Sequence, residues 1–190
     1  MNLFRQHSGL AIHFSECYDL SMKTLSLFIL AAVSLNCIPA AALPPPCDDS
    51  AKIYKVCSSQ RKLYAEALTG AAKEKKLLLV EFGFEACPWC VSMYKILHSP
   101  GNKEKTAAYH LIQIETGNSK LDGRKVLAAL RKKEPGTKLE GFPFLALVNP
   151  VSGKTILLNT GGMEKNTASS KGHDPEKIFA ALGKAAGKIR

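Results

Sequence analysis

The chain has 190 residues, 46% hydrophobic and 22% charged, with a formal net charge of +10. That length and balance suit one ordinary soluble domain around a single core. Its positive charge is spread out, with Lys73, Lys75 and Lys76 in one group and Arg131, Lys132 and Lys133 in another; without the interleaved aromatics of a nucleic-acid surface, these read as solvated helix ends.

Residues 1–21 are polar and lack clear periodicity. Met22-Lys23 then leads into a weakly polar run from Leu25 to Leu35, followed by Pro39, Ala40, Ala41 and Ala42, which is the three-part pattern of a secretory leader. The run is too short to cross a hydrocarbon core of about 30 Å as a helix, so a cleaved peptide is expected rather than an anchor. Residues 22–42 are therefore read as a signal peptide cut after Ala42, and residues 1–21 as an over-long start with Met22 the true one. Ser34-Leu35-Asn36 fits poorly the pattern that would make Cys37 a lipidation site. Within residues 1–42 Arg5 and Lys23 balance Glu16 and Asp19, so the loss of that whole segment leaves the charge unchanged. Cys17 and Cys37 leave with it, and the remaining Cys47, Cys57, Cys87 and Cys90 form an even set, which in an exported chain favours disulfides.

Residues 43–50 carry Pro44-Pro45-Pro46 and read as an extended arm, since consecutive prolines exclude helix. The domain proper is expected over 51–190. Ile53, Val56, Cys57, Leu63, Tyr64, Ala67, Leu68 and Ala71 recur at helical spacing, which predicts one amphipathic helix over about 51–74. Leu77 to Phe84 is apolar except for Glu81 and Gly83, the mark of a strand covered on both faces, and is expected at the centre of the sheet. Leu111 to Ile114 reads as a second strand, and Val126, Leu127 and Leu130 as a helix. Pro143 to Val148 is a third strand, turned by Asn149-Pro150 and Gly153 into Thr155 to Leu158 as an antiparallel hairpin. Asp174 caps a last helix with Pro175 at its first position and Ile178, Phe179 and Leu182 facing inward. The sum is an α/β domain with a mixed sheet between helical layers.

Cys87-Pro88-Trp89-Cys90 follows the central strand and opens a segment with Val91, Tyr94 and Leu97 at helical spacing. The pair therefore falls at a helix N-terminus, where free N–H groups and the helix dipole favour an anion. Cys87 is expected to be the attacking nucleophile and Cys90, deeper on the same side, the resolving thiol. Pro88 suits the first turn because its missing N–H has no partner to lose. Half a zinc site is the competing reading, but Cys47 and Cys57 are ten apart and no histidine cluster completes it. A static disulfide between the two neighbours is another.

Through Glu81, Cys87-Pro88-Trp89-Cys90 and Gly141-Phe142-Pro143, residues 75–186 resemble the thioredoxin superfamily, particularly small exported thioredoxin-like proteins with a helix ahead of the first strand. The resemblance implies a thioredoxin-like fold with an extra N-terminal helix, and a cis bond before Pro143 facing the redox pair. Beside that bond Phe142 would offer main-chain hydrogen bonds to an extended substrate. Glu81 stands at the family's buried acidic position and would accept the Cys90 proton, a snorkelling or ion-paired glutamate being the alternative. The chain departs from the most familiar pattern: Ala86 and Gly83 replace aromatics, and Pro88-Trp89 replaces a Gly-Pro pair. Trp89 adds an apolar surface for a client and no charge beside the thiolate, so an intermediate reduction potential is expected.

A bridge between Cys47 and Cys57, the latter on the inward face of the first helix, would pin the arm to the domain. A second redox pair relaying electrons is the alternative. The function expected is thiol-disulfide exchange with exported protein clients and a redox partner protein, without cofactor or bound metal, by a monomer, with a bacterial periplasm the simplest location. A copper or zinc carrier and a non-enzymatic interaction domain remain the alternatives.

Overall fold

The computed structural model describes residues 49, 52–165 and 172–190. The expected leader and start site over 1–42, and Cys47 in the proline arm, lie outside the described residues.

A four-stranded sheet organises the domain, in the order β2-β1-β3-β4. Its strands are β1 (Leu77–Gly83), β2 (Tyr109–Glu115), β3 (Phe144–Val148) and β4 (Thr155–Asn159). β1 runs parallel to β2 and antiparallel to β3, and β3 and β4 form the expected antiparallel hairpin. Every residue of β1 is buried, as an interior strand covered on both faces requires. Leu78, Val80 and Phe82 pack with Ala67, Ala71, Val126, Leu127 and Leu130, the apolar stripes of α1 (Gln60–Lys73) and α4 (Gly123–Lys133). Leu77 and Leu79 face the other way, onto Met93 and Leu97 of α2 (Pro88–His98) and Ile178 and Leu182 of α5 (Pro175–Ile189). Asp174 caps α5, its carboxylate accepting from Glu176 N at 2.9 Å. A short helix that the sequence did not suggest, α3 (Lys103–Thr106), follows a turn of 3-10 helix at Pro100–Asn102.

The expected helix over 51–74 is corrected at its start, since α1 begins only at Gln60. Ahead of it, Asp49 accepts from Val56 N at 2.9 Å, Cys57 N at 3.1 Å and Ser58 Oγ at 3.0 Å. A side chain thus occupies donors that a longer helix would have turned onto its own carbonyls. Ser59 is the N-cap, and Asp122 reaches across from the turn before α4 to accept from Gln60 N at 2.8 Å. Gln60 is wholly buried; its amide donates to the carbonyls of Lys55 and Ser58 and accepts from Glu115 N, tying segment 52–59 to the end of β2.

Candidate active site

Where β1 ends, a tight turn in which Cys87 N donates to Phe84 O swings the chain into α2. Cys87 is the N-cap of that helix, in extended geometry (φ −90°, ψ 109°), and Pro88 occupies its first turn. The Cys87 sulfur takes the capping acceptor's place: Cys90 N donates to it at 3.3 Å. The N–H groups of a helix's first turn have no carbonyl partners within the helix, and here one of them turns to a sulfur. Both cysteines are free thiols, Cys87 with 6% exposure and Cys90 with none. Cys87 is thus the more accessible of the two.

Behind the pair lies Glu81, fully buried in the middle of β1. One carboxylate oxygen, Oε1, accepts from the Tyr54 hydroxyl at 2.7 Å, and the other, Oε2, is buried without a hydrogen-bond partner. Burial pushes the Glu81 carboxyl up to about 8, with the Tyr54 hydrogen bond pulling it part of the way back. Burial also raises the Cys90 thiol, aided by its contact with Cys87. Tyr54 is raised as well, by burial and then by the Glu81 charge, so its hydroxyl stays neutral. The neutral forms of all three are favoured where they sit, which makes proton movement among them the electrostatic question of the site.

The opposite wall is the loop entering β3. The Phe142-Pro143 bond is cis, and Cys87 Sγ lies 4.0 Å from the Phe142 carbonyl oxygen as donor. Thr160, just past β4, donates to Pro143 O at 2.6 Å and fixes that carbonyl. Trp89 is 36% exposed and borders a groove shared with Phe142, Thr160, Glu164 and His173. The His173 ring sits edge-on to Trp89, with centroids 5.3 Å apart, and burial holds its pKa below the usual imidazole value.

Cys87, Cys90, Glu81, Phe142 and Pro143 therefore converge on one place, with Pro88 and Trp89 exposed at its rim. Two participants were not anticipated. Tyr54 falls within the expected helix over 51–74 but not among its apolar stripe, and His173, which packs against Trp89, arrives from a stretch without periodicity. Cys57 is corrected: it is exposed in a bend ahead of α1, not on the helix's inward face. It is disulfide-bonded. Among the described residues no three His, Cys, Asp or Glu side chains cluster as a metal site would need.

No protein-family profile matches the chain, and no curated protein matches it by sequence. Among solved structures it is similar to a disulphide isomerase from Xylella fastidiosa Temecula1, with 21% identity, 76% of this chain and 99% of that one covered, and a TM-score of 0.52. Lower similarity is found to a thioredoxin from Thermus thermophilus, with 20% identity over 66% of this chain and 85% of that one, at a TM-score of 0.44. The C-terminal domain of Neisseria meningitidis DsbD gives 17% identity over 67% of this chain and 96% of that one, at a TM-score of 0.43. The chain has a thioredoxin-type fold, as the resemblance of residues 75–186 implied.

Proposed function

We propose that this thioredoxin-fold chain is a thiol-disulfide oxidoreductase that exchanges disulfides with exported proteins through Cys87 and Cys90. The observation that carries the reading is the pairing of a helix-capping thiol, Cys87, with a buried thiol, Cys90, three residues on and beside a buried carboxyl. In the reducing direction the Cys87 thiolate attacks one sulfur of a client disulfide. A bond forms between Cys87 and that sulfur, and the other client sulfur leaves with the electron pair and takes a proton from water. Cys90 then gives its proton toward Glu81, and its thiolate attacks Cys87 Sγ. The second client sulfur departs with its electron pair and takes a proton from water, the Cys87-Cys90 disulfide forms, and two electrons have passed to the client. In the oxidising direction the same steps run backwards, and a redox partner protein resets the pair. Phe142, beside Pro143, supplies the backbone against which an extended client lies, and Trp89 its apolar contact. Cys47 and Cys57 form the staple that holds the arm, and the protein acts as a monomer in a bacterial periplasm once residues before Leu43 are removed.

Replacing Cys90 by Ala tests the reading, because it leaves the first attack intact and removes the second. The variant is expected to accumulate a dithiothreitol-sensitive mixed disulfide with a peptide disulfide, and a Cys87→Ala variant none. If Cys90→Ala forms no such adduct, or releases it as fast as the unaltered protein, the pair does not perform exchange.

A further inference from the structure

Glu81 and Cys90 act on each other through charge, with no hydrogen bond joining them among the described residues. The group that touches both is Tyr54. Its hydroxyl donates to Glu81 Oε1 at 2.7 Å, and the residue packs in one buried cluster with Cys90.

The backbone has been cleared to let it in. A Cβ placed on Gly83 would come within 2.4 Å of the Tyr54 hydroxyl oxygen and 2.7 Å of Cys90 Sγ, distances that side chains do not tolerate. Gly83 therefore leaves open the space in which the tyrosine and the thiol face each other. Tyr54 itself is held firmly: it has no exposure, its N–H donates to Glu85 Oε2 at 3.1 Å, and the segment carrying it is fastened by Asp49, by Gln60 and by the disulfide at Cys57.

We infer that Tyr54, supplied from outside the sheet by the segment ahead of α1, is the proton relay between Cys90 and Glu81. This rests on the exchange reading above. As the mixed disulfide resolves, the Cys90 S–H proton passes to the Tyr54 oxygen while the Tyr54 hydroxyl proton passes to Glu81 Oε1. The tyrosine ends neutral, the carboxylate ends protonated, and the Cys90 thiolate attacks Cys87 Sγ, expelling the client sulfur with its electron pair. Passing through the tyrosine spares the site a free phenolate, whose formation burial and the neighbouring charge oppose. The titratable groups around the relay are Tyr54 itself, Glu85, which accepts from Tyr54 N, Cys87 at the N-cap of α2 and Cys90 in its first turn. Gln113 of β2 lies beside Glu81 in register and contacts His98 of α2 at 3.2 Å.

The test is stopped-flow reaction of the reduced protein with a limiting amount of dithiobis-nitrobenzoate. Attack by Cys87 releases one coloured thionitrobenzoate, and closure by Cys90 releases the second. For Tyr54→Phe we expect an unchanged first release and a second release slowed by about tenfold or more. Its pH midpoint should also move above the value near 8 set by Glu81, because the lost hydrogen bond had held that carboxyl down. Adding Tyr54→Phe to Glu81→Gln should slow the second release no further. A second release in Tyr54→Phe with unaltered rate and midpoint would overturn the relay, as would equal slowing of both releases. Absence of any second release in the unaltered protein would sink the exchange reading itself, and the relay with it. Should the variant not fold, a proton inventory of the second release in the unaltered protein decides: a bowl-shaped curve shows two protons in flight, and a straight line, showing one, overturns the relay.

Discussion

A buried carboxyl leaves a thermodynamic trace that can be read without any substrate. Glu81 titrates near 8 in the folded protein and near 4.5 when unfolded, so between those values the folded state holds a proton that the unfolded chain has released. The stability it permits is fully present below about pH 4.5 and drains away as pH rises through about 8. The total loss is on the order of 5 kcal/mol. Glu81→Gln keeps a carbonyl oxygen to accept from Tyr54 and carries no charge, so it should match the unaltered protein at pH 4.5 and exceed it by a margin that grows to pH 9. Denaturant unfolding at several pH values measures this; a margin independent of pH would show that Glu81 does not titrate as its burial requires. The same substitution should slow closure by Cys90. Glu81 was legible in the sequence because one acid in a run of seven buried strand residues contradicts its surroundings. Tyr54 was not, because an aromatic among apolar neighbours carries no mark of the carboxylate it will meet 27 residues later.

The elements divide in the same way. β1, the β3-β4 hairpin and α5 could be read from local signals: a continuous apolar run, Asn149-Pro150 with Gly153, and Asp174-Pro175 at a helix start. α1 could be read only in part, because Ile53 and Val56 keep helical spacing while the backbone around them is bound by Asp49, and that competition is invisible to periodicity. Gln60 shows what replaces the missing helical turn. Truncating it to Ala would leave the Lys55 and Ser58 carbonyls and the Glu115 N–H without their partner. The expected cost is about 3 kcal/mol, by analogy with other buried polar groups stripped of partners. Urea unfolding checks the cost. Because the same amide fixes the segment bearing Tyr54, the second thionitrobenzoate release should slow as well, with the first unchanged. A stable Gln60→Ala protein with normal closure would mean that the segment is held by Asp49 and the disulfide alone.

For the molecule as a whole, the direction of electron flow depends on which redox state the fold prefers. Cys90 is held as a neutral thiol, the flanking Pro88 and Trp89 bring no charge, and burial favours the neutral form of His173 beside Trp89. That leaves the helix N-terminus as the one feature at the pair that would favour a reduced, anionic sulfur, and in general such a terminus contributes at most about 2 kcal/mol. A pair so placed should equilibrate with glutathione between roughly −220 and −150 mV, between a strong reductant and a strong oxidant. The disulfide at Cys57 bears on this value in one of two ways. As a staple closing a short loop with Cys47 it stabilises the fold by about 2 to 3 kcal/mol and leaves the Cys87-Cys90 potential alone. As a second redox pair it would exchange electrons with Cys87 and Cys90, and its removal would change how many electrons the protein takes up. Cys57→Ser is expected to lower the unfolding midpoint while the remaining pair still takes up two electrons at the same glutathione ratio. Uptake that falls from four electrons to two over that range of potentials would instead make the disulfide a working part of the redox chain.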